Sequence, residues 1–264
     1  MKQILFIAIL LSAFTACSTK GKEKTTDDIC FDTIKVDSTI HLTDNPKSPT
    51  SEISISLLYS KGKHSKEINN AIIKSGVLMP DYMPSSYSKL PIQTVVDSFI
   101  YKAFNEYKTD FKEIYLQDPI GGGNLNNAYK VTTNVTCEKE GYLNYLASIY
   151  YYGGGAHGSS LTTSLNFDKM SGKLITLNDL FAPGYKETLN AIIKKCMMKK
   201  YKVSKWVDLT NQGIFSFGKV YAPDNFIISD KSITFIYCDD EIAPHCVGEI
   251  RLTINNDDLK VILK

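Results

Sequence analysis

Arginine is nearly absent from this sequence, in which Arg251 is the only one among 264 residues. Arginine grips phosphate and carboxylate groups well because its planar guanidinium presents several donors in a fixed fork. The formal net charge is only +2, whereas proteins that bind nucleic acids usually carry a strongly basic face. We therefore expect no nucleic-acid partner.

Long apolar runs are missing from the sequence after its first residues. The run from Ile4 to Ala13 follows the basic start Met1-Lys2 and is too short to cross a bilayer as a helix. A basic start, a short apolar core and small residues before a cleavage site are typical of a secretory signal peptide. We predict a signal peptide over residues 1–16 and an exported chain.

The residues at the cleavage site carry more information than the apolar run. Phe14-Thr15-Ala16-Cys17 resembles a bacterial lipobox, with Phe14 where a smaller aliphatic residue is usual. We predict lipidation of Cys17, so that the chain contacts the membrane through this lipid in the bacterial cell envelope, in the periplasm or at the outer membrane. The alternative is an ordinary signal peptide with a chance cysteine. The stretch after Cys17 carries three lysines, which suits a solvated tether near lipid head groups: Lys20, Lys22 and Lys24.

Cysteine is present without the spacing of a metal site. Five cysteines follow Cys17, and an odd number leaves at least one thiol unpaired. Export permits disulfides, and Cys238 and Cys246 bracket one loop, so we predict either a disulfide between them or two free thiols. A zinc site of Cys238, His245 and Cys246 lacks a fourth ligand and a paired Cys-x-x-Cys. We expect no metal and no cofactor.

Both strand-like and helix-like apolar periods are present. Alternating apolar and polar residues predict strands, and apolar residues every three or four positions predict helices. The predicted strands are 29–42, 53–59, 128–137, 142–152, 160–167, 174–176, 226–228, 232–237 and 248–254, and the predicted helices are 63–78, 92–115, 185–201 and a short one from Asp257. This order favours an α+β fold. We predict mixed antiparallel sheets with helices packed on one face, as two small domains sharing a core.

The most unusual local sequence is Tyr-Tyr-Gly-Gly-Gly-Ala-His-Gly at residues 151–158. Glycine reaches backbone conformations closed to other residues, so Gly154 and Gly155 indicate either a bend or a close approach by a ligand. His157 and Tyr152 are candidate ligand-binding residues, because imidazole changes charge near neutral pH. The alternative is that His157 holds its own loop through a backbone hydrogen bond. The tract lacks the lysine of a phosphate loop.

No set of catalytic residues is evident. A histidine base needs a nucleophile within reach and a third group that orients its ring, and Ser159 and Ser160 adjoin His157 only in sequence. The carboxylates at 239–241 lie too close together to face each other across a glycan. We predict that Asp168 and Asp179 serve turn and cap chemistry, with Asn178 as a helix cap.

Several segments together resemble one family. They are residues 153–158 (GGGAHG), 166–168 (NFD), 171–173 (SGK), 177–181 (LNDLF), 240–248 (DEIAPHCVG) and 251–254 (RLTI). This set resembles the RsiV-type domain of unknown function, in which Ile-Ala-Pro and a glycine precede the final strand. Residues 68–72 (INNAI) resemble a helix of the N-terminal domain in PdaC-type polysaccharide deacetylases. The resemblance implies a tether and possible first strand over 17–50, a PdaC-type domain over 51–172 and an RsiV-type domain over 173–264.

The resemblance implies a binding module rather than an enzyme. Relatives include extracellular halves of anti-sigma factors that sense lysozyme, and accessory domains of cell-wall deacetylases. We see neither a sigma-binding segment with a spanning helix nor a deacetylase domain, so we expect the sensing or binding half alone. The loops with His157 and with Pro244-His245 are the expected contacts to a lysozyme-like protein or a cell-wall glycan. A hydrolase of envelope glycans and a structural lipoprotein without a specific ligand are the alternatives.

Overall fold

The computed structural model describes residues 29–78, 90–119, 125–137, 139–216 and 218–264. The predicted signal peptide and the predicted lipidation site Cys17 lie outside these ranges. Across the described residues, no helix combines the length and the apolar character that crossing a bilayer requires.

The strands of the described residues form two sheets. The strands are β1 (Ile29–His41), β2 (Thr50–Gly62), β3 (Asn127–Thr136), β4 (Tyr142–Tyr152), β5 (Ser159–Asp168), β6 (Leu174–Ile175), β7 (Phe226–Ile228), β8 (Ser232–Tyr237) and β9 (Ile250–Asn255). Sheet 1 has the order β1-β2-β3-β4-β5-β6 and sheet 2 the order β7-β8-β9. All neighbours are antiparallel except β2 and β3, which pair in parallel because two helices connect them.

Six helices accompany these strands in the described ranges. They are α1 (Ser65–Lys74), α2 (Ile92–Gln117), α3 (Leu177–Leu180), α4 (Lys186–Lys200), α5 (Trp206–Thr210) and α6 (Asn256–Leu259). The helix α2 begins directly after Pro91, and it buries Val95, Val96 and Phe99 at the predicted three-and-four spacing. The short helix α5 has too few turns to show a period, and the sequence did not predict it.

The helices α1 and α2 cover one face of sheet 1. Ile68 and Ile72 of α1 pack with Phe99 of α2 against inward-facing residues of the strands, among them Ile55 and Tyr145. Removing such apolar surface from water is the main term that stabilises this layer. The α+β class, with mixed antiparallel sheets and helices packed on them, is confirmed.

Sheet 2 has a core of its own. Leu189, Ile193 and Met197 of α4 pack against inward-facing strand residues such as Phe235 and Leu252. The buried apolar side chains therefore form two clusters, one per sheet. The predicted shared core is thus divided into two parts. The domain boundary at residues 172 and 173 stays a prediction.

Polar side chains join the two sheets. Asn144 of β4 and Asn166 of β5 are direct cross-strand partners, each only 1% exposed. Asn166 donates to the Phe226 carbonyl at 2.7 Å and accepts from the Ile228 amide at 3.2 Å. Asn144 donates to Asn166 at 2.7 Å and to the Ile228 carbonyl at 3.1 Å. These buried amides are hydrogen-bonded to the backbone of β7, and the bonds offset the cost of burying them.

A third amide side chain bonds in the opposite direction, from the β7 side to β5. Asn225, which precedes β7, accepts from the Ser164 amide at 2.8 Å and donates to the Thr162 carbonyl at 2.6 Å. One side chain thus satisfies a donor and an acceptor on β5, as a neighbouring strand would. The sheets are held by bonds from both sides of the junction.

The segment 166–181 is built around a turn and a helix cap. The Asp168 carboxylate accepts from the Ser171 amide at 2.8 Å and from its hydroxyl at 2.7 Å, and Gly172 follows at φ 67°. Asp179 accepts from the Thr176 amide at 2.9 Å and hydroxyl at 2.7 Å. The turn and cap roles of the two aspartates fit the structure, but the helix α3 is capped at Thr176 and not at Asn178.

We expect the substitution Asn166→Ala to lower the free energy of unfolding by about 3 kcal/mol, because buried backbone groups of β7 lose their partner. Urea denaturation monitored by circular dichroism measures this change. Asn134→Ala, on the exposed face of β3, is the control and is expected to change stability by less than about 0.5 kcal/mol. Equal effects of the two substitutions would contradict the junction.

We expect Asp179→Ala to lower stability by about 1 kcal/mol at pH 7, since the cap of α3 is lost. The ion pair with Lys173 and the bonds from Thr176 hold the pKa of the Asp179 carboxyl well below its ordinary value of 3.8. Its contribution is therefore complete above about pH 4 and is lost as pH falls further.

The measurement is urea denaturation of wild type and Asp179→Ala between neutral and strongly acidic pH. The gap between them should close below about pH 4. Asp44→Ala, at an exposed aspartate in the β1–β2 turn, is the control and should show no such pH-dependent gap. A gap that stays constant down to low pH would assign the loss to packing instead.

Candidate functional site

The loop between β4 and β5 is shaped by the tyrosines that precede it. The Tyr152 hydroxyl donates to the Gly155 carbonyl at 2.8 Å, and Gly154 and Gly155 have φ values of 90° and 91°. The Tyr150 ring lies so close to Gly158 that an added Cβ would meet it at 2.6 Å. The glycines therefore allow a sharp bend over which tyrosine rings fold.

The loop between β8 and β9 is the second predicted site segment, and two of its carboxylates are engaged in hydrogen bonds. Glu241 accepts from the Cys238 amide at 2.8 Å and from the Tyr221 hydroxyl at 2.5 Å. Burial, and secondly the bond to this carboxylate, raise the pKa of the Tyr221 hydroxyl. Asp240, at φ 64°, accepts from His245 Nδ1 at 2.9 Å. These bonds fix the loop in front of the final strand.

The chain segment at residues 213–215 packs against this loop. The Phe215 amide donates to the Ile242 carbonyl at 2.6 Å, and the Pro244 ring lies within 2.9 Å of where a Cβ on Gly213 would stand. Pro244 itself is exposed. A glycine at position 213 is required for this approach, since it also has φ 86°.

The two predicted loops meet at their histidines. The rings of His157 and His245 stack with centroids 4.2 Å apart and an interplanar angle of 20°. His157 is exposed and His245 is half-buried. In the described part of the chain, the His157 ring makes this stacking contact and forms no hydrogen bond. The alternative, in which His157 holds its own loop by bonding to the backbone, is therefore not what the structure contains. The stack joins a loop of sheet 1 to a loop of sheet 2.

The stacked pair resembles part of a catalytic arrangement only in one respect. Asp240 orients the His245 ring, as the third member of a triad would orient a base. Within the described ranges, however, no serine, threonine or cysteine side chain is hydrogen-bonded to either ring. The arrangement brings one exposed and one half-buried histidine ring together.

The predicted pair Cys238 and Cys246 consists of two free thiols in the structure. The Cys238 thiol donates to the Thr162 carbonyl at 3.3 Å, and burial raises its pKa, which keeps it protonated and unreactive. Cys246 is exposed. A disulfide between them stays a prediction. No group of three or more histidine, cysteine or acidic side chains is placed to hold a metal among the described residues.

Sequence reasoning missed the aromatic residues beneath the second loop. The rings of Trp206, Phe215, Tyr221 and Tyr237 form a chain of contacts with centroids 5.5 to 6.0 Å apart. Their positions in sequence follow no single period, because they come from α5, two loops and β8. No sequence signal would have grouped them.

Comparisons with known proteins agree with this architecture. Residues 178–257 match the family model described as "Protein of unknown function (DUF3298)". A crystal structure of a DUF3298 family member from Bacteroides fragilis NCTC 9343 is 26% identical, with a TM-score of 0.80, and the alignment covers 91% of this chain and 96% of that one. No curated protein matches the chain.

A second crystal structure extends the likeness of fold. A DUF3298 family protein from Pseudomonas aeruginosa PAO1 is 17% identical, covers 91% of this chain and 97% of its own, and has a TM-score of 0.60. The RsiV-type and PdaC-type resemblances are finer than these matches and stay predictions. Residues 178–257 are therefore similar to the DUF3298 family, and the chain has the fold of the DUF3298 proteins from these two bacteria.

Proposed function

We propose that this chain is a non-catalytic binding or sensing module of the bacterial cell envelope, whose partner is a cell-wall-related macromolecule. The observation that carries the proposal is the stack of His157 on His245. It gathers the residues of both candidate loops, Tyr152, Gly154, Gly155 and Pro244 with the two histidines, into one surface. We call this surface the histidine surface.

The chemistry of the histidine surface suits a large partner. Stacked imidazoles and the partly exposed Tyr150 ring offer flat apolar faces, on which the faces of sugar rings or the side chains of a protein can pack. The adjoining segment 239–241 carries three carboxylates, which attract a basic protein. A lysozyme-like protein or a peptidoglycan fragment fits these properties. Among the described residues, no hydroxyl or thiol is hydrogen-bonded to either histidine ring, which favours binding over hydrolysis.

The partner is tested by measuring binding of purified protein to a lysozyme and to soluble peptidoglycan fragments. We expect the double substitution His157→Ala and His245→Ala to lower the affinity for the ligand at least about tenfold, because residues at the centre of an interface contribute most of the binding energy. His41→Ala is the control, since His41 is exposed at the end of β1 and its Nδ1 lies 3.3 Å from the Ser48 carbonyl. It should leave binding unchanged.

Two outcomes would overturn the histidine surface as the binding site. One is wild-type protein that binds neither the lysozyme nor the peptidoglycan fragments. The other is a folded double variant that binds as tightly as wild type. Release of reducing ends from peptidoglycan by the wild-type protein would instead support the hydrolase alternative. Thermal unfolding of each variant shows whether it is folded.

The envelope location rests on Cys17, and metabolic labelling with a fatty acid tests it. We expect the wild-type protein to become labelled in bacterial cells and Cys17→Ala to remain unlabelled, because the thiol is the acceptor of the lipid. Cys30→Ala keeps the predicted acceptor and should be labelled as wild type is. Label that persists in Cys17→Ala would sink the lipoprotein assignment.

A further inference from the structure

The helix α4 and the segment after it carry a dense set of positive charges. Six lysines fall between residues 194 and 205, and no acidic residue occurs from Thr188 to Val207. These lysines, all of them exposed, define what we call the α4 lysine surface: Lys194, Lys195, Lys199, Lys200, Lys202 and Lys205. Since the whole chain has a formal net charge of only +2, the chain outside these six lysines is net negative.

These charges are not used to hold the fold together. Leu189, Ile193 and Met197 form the buried side of α4, and the lysines at 194, 195 and 199 project from the opposite side. In the described part of the chain, none of the six lysines forms an ion pair with a carboxylate. Six exposed positive charges so near one another repel, so this surface favours an anionic partner.

Apolar side chains lie beside the charges. The Lys194 ammonium lies 5.1 Å from the centre of the Trp206 ring, and the adjacent Val207 is 53% exposed. Tryptophan with lysine at its side is the combination found where proteins sit at the boundary between lipid and water. An exposed apolar residue in the same place fits a lipid surface better than a nucleic acid.

The lack of arginine in this lysine-rich segment favours the same partner, since Arg251 is the only arginine of the chain. Specific phosphate contacts in nucleic-acid complexes rely on the arginine fork, whereas lysine is a flexible point charge. Point charges suffice for attraction to the diffuse negative potential of anionic head groups. We propose that the α4 lysine surface docks onto an anionic lipid surface, with Trp206 at the head-group boundary.

The choice of a lipid partner rests on the proposed envelope location. The chain between Cys17 and Ile29 can span at most about 40 Å, because an extended chain covers about 3.5 Å per residue. A lipid on Cys17 would therefore keep the folded part close to a bilayer. The α4 lysine surface then sets which side of the protein faces the membrane.

The test uses the full chain with Cys17→Ala as the parent, so that no attached lipid contributes to binding. Trp206 is the only tryptophan, and its ring lies beside Lys194 of this surface, so quenching by a lipid reports on contact at this position. We expect phosphatidylglycerol-containing vesicles with brominated acyl chains to quench Trp206, and pure phosphatidylcholine vesicles not to. The quenching should diminish with added salt, because salt screens exposed charges.

Charge substitutions locate the contact. We expect the triple variant Lys195→Gln, Lys199→Gln and Lys200→Gln to lower the partition onto anionic vesicles about 100-fold, from the usual contribution of each lysine near such a membrane. The matched control replaces three exposed helical lysines elsewhere, Lys74, Lys108 and Lys112, by glutamine. It changes the net charge equally and should retain most of the binding.

Three results would overturn this inference. They are equal loss of binding in the two triple variants, equal quenching by anionic and neutral vesicles, and retention by DNA without binding to vesicles. A failure here is distinguishable from failure of the proposed function. Lysozyme or glycan binding through the histidine surface, and labelling at Cys17, are measured independently of α4.

Discussion

The amide of Asn166 is the contact on which the arrangement of the two sheets depends. It lies at 1% exposure and bonds both to its cross-strand partner Asn144 and to the backbone of β7. Apolar packing has no fixed direction, but these bonds are met in one relative position of the sheets only. Asn225 completes the junction from the other side by bonding to β5. Two separate apolar cores thus become one structure with a defined orientation.

The candidate binding surface follows from that orientation. His157 lies on the loop that leaves β4, and His245 lies on the loop that leaves β8. Their stacking requires the two sheets to stand as the asparagine junction holds them. Asp240 and Glu241 are engaged within their own loop. These bonds hold the segment that carries His245 in place.

Much of the fold was predictable because local patterns agree with it. Short stretches of sequence suffice to predict the helix α2, the β3–β4 hairpin and the turn that Asp168 closes. The face of β5 that carries Thr162, Ser164 and Asn166 was not predictable in the same way. Alternation with apolar residues is typical of a strand face in water, yet these three side chains are 8%, 4% and 1% exposed. Sheet 2 covers them, and only side-chain hydrogen bonds make that burial tolerable.

The sequence by itself determined the elements, the bend at the glycine tract and the residues worth testing, because each depends on neighbours along the chain. It also contained the lysines of α4, although a net charge summed over the whole chain concealed their concentration. Only the tertiary structure decided that His157 meets His245 and that the aromatic residues around Tyr221 support the same loop. Such contacts join segments far apart in sequence, and no local period records which distant segments a buried hydrogen-bonded junction will bring together.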